Sequence, residues 1–303
     1  WRGAGGADSP EIHAAAASLE FLQACALIHD DVIDNSDTRR GLPATHKRLA
    51  LLHEHSGWSG AAEEFGQGAA ILIGDLCLAW NDAMYHASGL PLEALQAGRR
   101  PLDTMRTEVM AGQYLDTLEQ VRGTESAEAA LRVMRYKSAK YTIERPLHLG
   151  AALAGRYTEL APVYSAYGLP LGIAFQLRDD VLGVFGDPEQ TGKPAGDDLR
   201  EGKRTLIVAE TLQRASAADA AQFRRLLGDP ELTRDAVEWM RGLATECGAL
   251  KACEYRIDDY VEQATAALEN DAIADDARSS LADLIAAATS RKHLRAGQHF
   301  RDL

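Results

Sequence analysis

The chain has 303 residues, 46% of them hydrophobic and 6% aromatic, and carries a formal net charge of -13 at pH 7. This length allows one large domain or two of ordinary size. The negative charge disfavours nucleic acid as a partner, because binding it requires concentrated positive charge. A negative protein that binds phosphates must therefore gather its Lys and Arg locally or use metal ions.

The cysteine pattern and the apolar runs indicate the compartment. The four cysteines form neither a CxxC pair nor a metal-ligand spacing, which is typical of reduced thiols in a cytoplasmic protein. We expect no transmembrane segment, because no apolar run reaches the required length, and the first residues do not resemble a signal peptide.

The hydrophobic pattern predicts helices along most of the chain. Ser9 and Pro10 are typical of a helix start, and the apolar residues of 11–35 lie nearly all round, which predicts a buried helix. A short basic helix follows near His46. Further helices are predicted over 61–88, 91–118, 126–153, 158–185, 197–214, 217–227, 233–247, 252–269 and 276–290, with loops at 36–44 and 186–196. Pro170 predicts a kink. No period-two strand or linker is evident, so residues 1–303 are predicted to form one all-α domain, a bundle of roughly ten or more helices.

Three carboxylates lie at the end of the first long helix, at Asp30, Asp31 and Asp34. Residues four apart share a helix face, so Asp30 and Asp34 point the same way and repel each other unless a cation lies between them. Oxygen ligands at this density suit Mg²⁺ with substrate phosphates. Arg39 and Arg40 follow and can donate to phosphate. A solvated acidic helix end is the alternative.

A second apolar helix delivers another carboxylate pair, Asp179 and Asp180. Buried carboxylates without partners are costly, so two such helix ends that face each other across a cavity could hold several Mg²⁺ ions on one diphosphate. Glycines surround Lys193 and Lys203 in the loop that follows, so a ligand can come close. A flexible loop with solvated charges is the alternative for this segment.

In this combination of motifs the chain resembles the trans-isoprenyl (polyprenyl) diphosphate synthases, over about residues 20–210. The matching residues, in the family's order and spacing, are Asp30-Asp31-Val32-Ile33-Asp34 with Arg39-Arg40-Gly41, Gly112-Gln113 with Asp116, Lys137-Ser138, Phe175-Gln176 with Asp179-Asp180, Gly192-Lys193, and Asp198-Leu199 with Gly202-Lys203 and Thr205. One DDxxD alone is weak evidence, whereas the whole series is highly specific.

The resemblance implies an all-α fold around a central cavity and a Mg²⁺-dependent condensation of an allylic diphosphate with isopentenyl diphosphate. It implies a homodimer as well. The implied metal ligands are Asp30, Asp31, Asp34, Asp179 and Asp180. The residues implied to clamp the allylic diphosphate are Arg39, Lys137, Ser138, Gln176, Lys193 and Lys203, with Arg40 and His46 for isopentenyl diphosphate. The departing pyrophosphate can take the final proton.

Two features depart from the family pattern. Gly183 stands where many members carry a further Asp, so one possible metal ligand is missing. The family's upstream GGKRxRP element has no match among the 29 residues before Asp30. Either an N-terminal portion of the protein precedes Trp1, which we expect, or the protein binds isopentenyl diphosphate poorly.

Product length should depend on the residues just before Asp30. Cys25 and Ala26 lie one turn below it, and both are small where short-product members tend to carry aromatics, so the resemblance implies geranylgeranyl diphosphate or a somewhat longer product. Leu22 and Phe21 come one turn further down. Phe21 is the candidate floor, although it could equally face the core elsewhere.

Other classes remain open. A class I terpene cyclase shares DDxxD, but would need an Asn/Ser/Glu-type second motif and a more aromatic cavity. A non-catalytic subunit of a hetero-oligomeric synthase would typically lose carboxylates, as at Gly183. His29-Asp30 could suggest a metal-dependent phosphohydrolase, but no upstream His cluster supports it.

Overall fold

The computed structural model describes residues 1–186 and 196–289. The chain divides into two compact units, Ala7–Ala97 and Trp1–Gly6 with the described residues from Gly98 onward. The described residues are mostly helical, and their only β-structure is a hairpin of two two-residue strands. The all-α prediction is therefore confirmed. A compact unit need not be an independent domain, so the single domain over 1–303 stays a prediction.

The Ala7–Ala97 unit contains helices α1 (Pro10–Ile33), α2 (Thr45–His55) and α3 (Ala62–His86), and the hairpin strands β1 (Thr38–Arg39) and β2 (Leu42–Pro43). The start of α1 follows the predicted signals, since the Ser9 hydroxyl accepts a hydrogen bond from the Ile12 N–H and Pro10 is the first helical residue. The hairpin lies where a loop was expected, because two-residue strands are too short to show a period-two pattern.

Helix α1 packs along α3 and buries one stripe, Ile12, Ala15, Ser18, Leu22 and Cys25. The Asn81 side chain of α3 donates to the Ser18 carbonyl at 2.8 Å. The expectation that α1 is buried all round is wrong in this structure, since its other faces are partly exposed. Helix α1 is long and apolar enough to cross a membrane by length and composition alone, so the expected absence of a transmembrane segment stays a prediction. The core helix of a water-soluble protein also meets these criteria of length and composition, so they do not by themselves identify a membrane-spanning helix.

The described helices of the second unit are a short 3-10 helix (Arg2–Ala4), the part of α4 (Leu92–Arg122) from Gly98 onward, α5 (Ala127–Val133), a π-helical segment (Met134–Glu144), α6 (Arg145–Leu153), α7 (Tyr157–Phe185), α8 (Asp197–Arg200), α9 (Leu206–Arg214), α10 (Ala217–Leu226), α11 (Arg234–Glu246), α12 (Ala249–Ala267) and α13 (Asp275–Thr289). Helix α7 lies at its centre and packs against the π-helical segment, α6 and α12. Both apolar clusters of the unit include α7, one around Leu177 and the other around Tyr167.

Two predicted helices are interrupted. The helix over 126–153 contains the π-helical segment, and the helix over 197–214 is split into α8 and α9. Gly202 adopts φ +71° at the break, a conformation that ends a right-handed helix. Helix α7 is continuous with Pro162 and Pro170 inside it, and the kink at Pro170 stays a prediction.

Candidate active site

The first acidic stretch forms the C-terminal end of α1. Asp31 is 2% exposed and accepts a hydrogen bond from Arg39 Nε at 3.0 Å, while Arg39 Nη2 donates to Asp30 Oδ2 at 3.2 Å. One guanidinium therefore bridges two neighbouring carboxylates and offsets their repulsion. Interaction with these carboxylates raises the pKa of Arg39 although burial opposes the shift. The backbone N–H of Asp34 donates to the Asp30 carbonyl at 2.8 Å and caps the helix.

The β-hairpin brings Arg39 back onto α1. Thr38 pairs with Pro43 and Arg39 with Leu42, which leaves Arg40 and Gly41 as a two-residue turn. Both turn residues have positive φ, 54° and 75°, as a type I′ turn requires. The turn thus directs Arg39 to the acidic end of α1 and leaves Arg40 exposed.

His46 lies on α2 and is only 2% exposed. Neither of its ring nitrogens has a hydrogen-bond partner among the described residues. Burial lowers the pKa of His46, as does the neighbouring Lys47 charge, whereas Asp31 opposes the shift. A buried imidazole without partners is costly, so this position fits a residue whose partner is a ligand.

The residues predicted to limit product length lie along α1. Leu22 and Cys25 are 1% and 4% exposed and belong to the buried stripe, while Ala26 is half-buried. The Phe21 ring meets Trp80 of α3 edge-on, with 5.8 Å between ring centroids. Burial raises the pKa of the Cys25 thiol to about 11, and Cys77 and Asp75 of α3 contribute. The role of these four residues in product length stays a prediction.

The second acidic pair lies near the end of α7 and is oriented by a hydrogen-bond chain. The Ser138 hydroxyl of the π-helical segment donates to Gln176 Oε1 at 2.7 Å, and Gln176 Nε2 donates to Asp180 Oδ1 at 2.8 Å. The donation from Gln176 to the diphosphate stays a prediction, since one N–H of its amide is used for Asp180 and the other hydrogen remains on the same nitrogen. Asp180 is 7% exposed, and burial together with the charge of Asp198 raises its pKa well above that of a free Asp.

The space beside Gly183 is filled by a carboxylate from another helix. A Cβ at position 183 would lie 1.9 Å from Asp198 Oδ2, so no side chain fits there unless Asp198 moves. Asp198 begins α8 with Asp197 and accepts from Lys203 Nζ at 3.3 Å, and Lys203 also pairs with Glu201 at 2.6 Å. The sequence interpretation missed Asp198 as a site residue, although its motif position was the available signal.

Lys137 lies on the π-helical segment and pairs with Asp116 of α4 at 2.6 Å. The sequence motif contains Asp116 but predicts no separate role for it, and the structure places it in contact with a predicted site residue. Lys193 lies outside the described residues. The structure thus groups Asp30, Asp31 and Arg39 in one unit, and Ser138, Gln176 and Asp180 in the other.

The donor sets at both helix ends fit Mg²⁺. Each set consists of carboxylate oxygens, the ligands that Mg²⁺ prefers alongside substrate phosphates. Burial and neighbouring carboxylates raise the pKa of Asp180. A bound cation would counter both effects, because it stabilises the ionised form of the carboxyl group. No group of three or more His, Cys, Asp or Glu side chains in the described ranges is close enough to enclose a metal without other ligands. Mg²⁺ held by one or two carboxylates typically completes its coordination with waters and substrate phosphate oxygens.

The helical fold with carboxylates at the ends of α1 and α7 defines an all-α isoprenoid synthase fold. A polyprenyl synthetase family model matches residues 4–242. The chain belongs to the polyprenyl synthetase family and is a trans-prenyltransferase, as predicted.

Relatives and a solved structure agree with this assignment. The geranylfarnesyl diphosphate synthase of Aeropyrum pernix is 33% identical over 252 residues, 82% of this chain and 73% of that protein. The geranylgeranyl diphosphate synthase of Mycobacterium tuberculosis is 32% identical over 266 residues, 87% of this chain and 70% of that protein. The crystal structure of geranylgeranyl pyrophosphate synthase from Corynebacterium glutamicum, complexed with isoprenyl diphosphate and magnesium, has a TM-score of 0.91 and 45% identity, and covers 94% of this chain and 80% of that one.

Proposed function

We propose that the chain condenses an allylic diphosphate with isopentenyl diphosphate in a Mg²⁺-dependent reaction. The products are a trans-prenyl diphosphate of geranylgeranyl length or somewhat longer and pyrophosphate. The observation that carries this proposal is that the carboxylates at both helix ends have dedicated orienting partners, Arg39 for Asp30 and Asp31, and Gln176 for Asp180. Carboxylates oriented in this way suit cation binding better than a solvated surface role.

In this proposal Asp30 and Asp34, supported by Asp31, would hold Mg²⁺ at the end of α1, and Asp179, supported by Asp180, would hold Mg²⁺ near the end of α7. When bound, Mg²⁺ supplies Lewis-acid stabilisation of the charge that develops on the leaving pyrophosphate. Arg39 offsets the repulsion between Asp30 and Asp31 and fixes the orientation of both carboxylates. In this proposal its guanidinium also contacts a phosphate of the substrate.

Three lysines, Lys137, Lys193 and Lys203, are proposed to clamp the allylic diphosphate. Lys137 and Lys203 each lie beside a carboxylate, Asp116 and Asp198 respectively. Such pairing fixes an ammonium group before the substrate arrives, which lowers the entropy cost of binding. Ser138 contributes through Gln176.

Arg40 and His46 are proposed to bind isopentenyl diphosphate. Arg40 is exposed in the hairpin turn, and His46 offers two buried ring nitrogens. A phosphate oxygen would give His46 the hydrogen-bond partner that it otherwise lacks among the described residues. Once the allylic carbon–oxygen bond breaks, the isopentenyl double bond attacks the allylic cation. A pyrophosphate oxygen then takes the proton that is lost as the new double bond forms.

The decisive experiment uses the isolated chain with Mg²⁺, labelled isopentenyl diphosphate and several allylic primers, followed by sizing of the products. We expect chain elongation that stops when EDTA removes Mg²⁺. Cyclic hydrocarbon products would instead indicate a terpene cyclase. Absence of turnover with every primer would indicate a non-catalytic subunit and contradict the proposal.

A separate prediction concerns Cys25, which lies one turn below Asp30 and is expected to limit product length. Cys25→Phe is expected to shorten the main product, because an aromatic ring one turn below the carboxylates would obstruct the growing chain. Overpacking at this buried position should also cost about 1–3 kcal/mol of stability, which a thermal melt would register. Ala24→Phe, one residue away and half-buried, is the matched control and should leave product length unchanged. If a folded Cys25→Phe protein gives products of unchanged length, Cys25 does not limit product length.

We also propose that the chain is a cytoplasmic homodimer that uses the exposed face of α3. Leu72 and Leu76 are one turn apart there and 65% and 49% exposed, with Phe65 and Ile71 nearby. Contiguous apolar surface of this kind is typical of an interface.

The dimer proposal predicts that Leu72→Glu combined with Leu76→Glu gives a monomer. A charged side chain in a buried interface is strongly unfavourable without a partner. Light scattering coupled to size exclusion would measure the mass. Leu284→Glu on α13 is the control and should remain dimeric, since Leu284 is 47% exposed, close to the 49% of Leu76. A doubly substituted protein that still elutes as a dimer would place the interface elsewhere.

A further inference from the structure

The π-helical segment Met134–Glu144 carries two residues of the proposed site, Lys137 and Ser138. π-Helical turns are rare and are frequent at functional sites. The hydrophobic pattern of 126–153 predicts an ordinary α-helix, so packing against neighbouring elements must impose the π geometry. The segment contacts α7 extensively and approaches α4 at Gly112.

One face of α4 packs against the π-helical segment. It carries three residues spaced four apart, Glu108, Gly112 and Asp116. A Cβ on Gly112 would lie 2.3 Å from the Lys137 backbone nitrogen, so glycine alone allows this approach. Asp116 pairs with Lys137 at 2.6 Å. Glu108 lies at the other end of this face.

One face of α7 packs on the same segment with the same spacing, through Gly168, Gly172 and Gln176. A Cβ on Gly172 would lie 2.4 Å from the Ala139 Cα, and one on Gly168 would lie 3.0 Å from the Glu144 Cα. Gln176 accepts from Ser138. The segment is therefore held on two sides, and its rotation decides where Lys137 and Ser138 point.

Glu108 binds two cations at the C-terminal end of the π-helical segment, Lys140 within it and Arg145 directly after it. Lys140 Nζ donates to Glu108 Oε1 at 2.6 Å, and Arg145 donates to Oε2 through Nε at 2.6 Å and to Oε1 through Nη2 at 2.8 Å. Lys140 and Arg145 are five residues apart, which in an α-helix turns their directions about 140° away from each other. Hydrogen bonding from i to i+5 places such residues one turn apart.

The cluster around Glu108 is buried and balanced in charge. The Lys140, Arg145 and Glu108 side chains are 14%, 13% and 15% exposed, and Glu144, 4% exposed, lies 4.0 Å from Lys140 Nζ. Burial alone would raise the pKa of Glu108, but the hydrogen bonds from Arg145 and Lys140 outweigh it and lower the pKa. Two carboxylates thus face two cations, and loss of one carboxylate leaves a cation without compensation.

We propose that Glu108 is a positioning residue that holds residues 134–144 in the π-helical register by binding Lys140 and Arg145 together, and so directs Lys137 at the allylic diphosphate. Without the Glu108 charge the segment is free to rotate toward the α-helical register, which moves Lys137 away from Asp116. This inference rests on the proposed role of Lys137 in the prenyltransferase reaction.

The test compares Glu108→Gln with Glu210→Gln in the full chain. Glu210 is a matched control, because it is 5% exposed and also pairs with two cations, Arg214 and Arg256, but not with the π-helical segment. We expect Glu108→Gln to raise KM for the allylic diphosphate roughly tenfold, the scale of one charge-assisted contact. Glu210→Gln should lower stability at most and leave KM unchanged. Hydrogen exchange of residues 134–144 should increase in Glu108→Gln alone.

A double-mutant cycle with Lys137→Ala tests whether Glu108 acts through Lys137. In the Lys137→Ala background, Glu108→Gln should raise KM no further. Equal effects in both backgrounds, or an unchanged KM in Glu108→Gln, would overturn the proposal. If Glu108→Gln fails to fold, Glu108→Asp replaces it, since the shorter carboxylate keeps the charge but cannot reach both cations. Absence of wild-type turnover would count against the proposed function, whereas the exchange comparison tests the register independently of activity.

Discussion

Asp30→Asn is expected to lower kcat by roughly a thousandfold or more, the scale of losing one stabilising group for a developing charge. The substitution removes a metal-ligand charge but keeps an oxygen that can accept from Arg39, which donates to Asp30 at 3.2 Å. The fold at the end of α1 should therefore persist, because Asp31 retains its own bonds from Arg39. Steady-state turnover of an allylic primer, with circular dichroism as the check on folding, measures the effect.

The control for Asp30→Asn is Asp37→Asn, seven residues further along the chain and directly before β1. Asp37 is 84% exposed and pairs only loosely with Lys47, at 3.4 Å. Its loss should change kcat less than about twofold, since exposed ion pairs contribute little. An Asp30→Asn protein that keeps more than about a tenth of wild-type activity would be incompatible with Asp30 as a metal ligand.

Gly183→Asp is expected to lower kcat about a hundredfold, although it introduces the Asp that the resemblance leads one to expect at this position. The new Cβ would collide with Asp198 Oδ2, and Asp198 would have to release Lys203 in order to move. Displacement of a binding group by about 1 Å can cost a factor of this size. A third carboxylate beside Asp180 would add repulsion where the Asp180 pKa is already raised. Kinetics with saturating Mg²⁺ and primer provide the measurement.

Two further variants show whether Asp198 is the cause. Gly183→Asp combined with Asp198→Gly removes the collision and keeps the number of carboxylates, so it should recover part of the activity lost in Gly183→Asp. Gly242→Ala is the control for adding a methyl group to a helix, since its Cβ would meet nothing within 4 Å, and a small gain in stability is expected. Greater activity in Gly183→Asp than in the wild type would show that Asp198 does not compensate for the missing residue.

Local signals in the sequence predicted much of the architecture correctly. The Ser9 cap and Pro10 place the start of α1 within one residue, because capping depends on neighbouring atoms alone. Breaks within the predicted helices were harder to predict than helix starts. Gly202 breaks 197–214 by its positive φ, but a lone glycine inside an apolar pattern is also compatible with a continuous helix.

The sequence by itself determined the helical class, the family resemblance and the identity of the carboxylates, because these depend on residue type and spacing along the chain. The tertiary structure decided what those residues contact. It assigned Arg39 to Asp30 and Asp31, and Gln176 to Asp180, and filled the space at Gly183 with Asp198.

The π-helical register of 134–144 was also decided by tertiary contacts. The periodicity of 126–153 is that of an α-helix, and the departure from it coincides with charges and glycines that lie far away in sequence, Glu108 and Gly112 on α4 and Gly172 on α7. Pairwise contacts between distant segments depend on packing, and packing is not expressed in local sequence patterns.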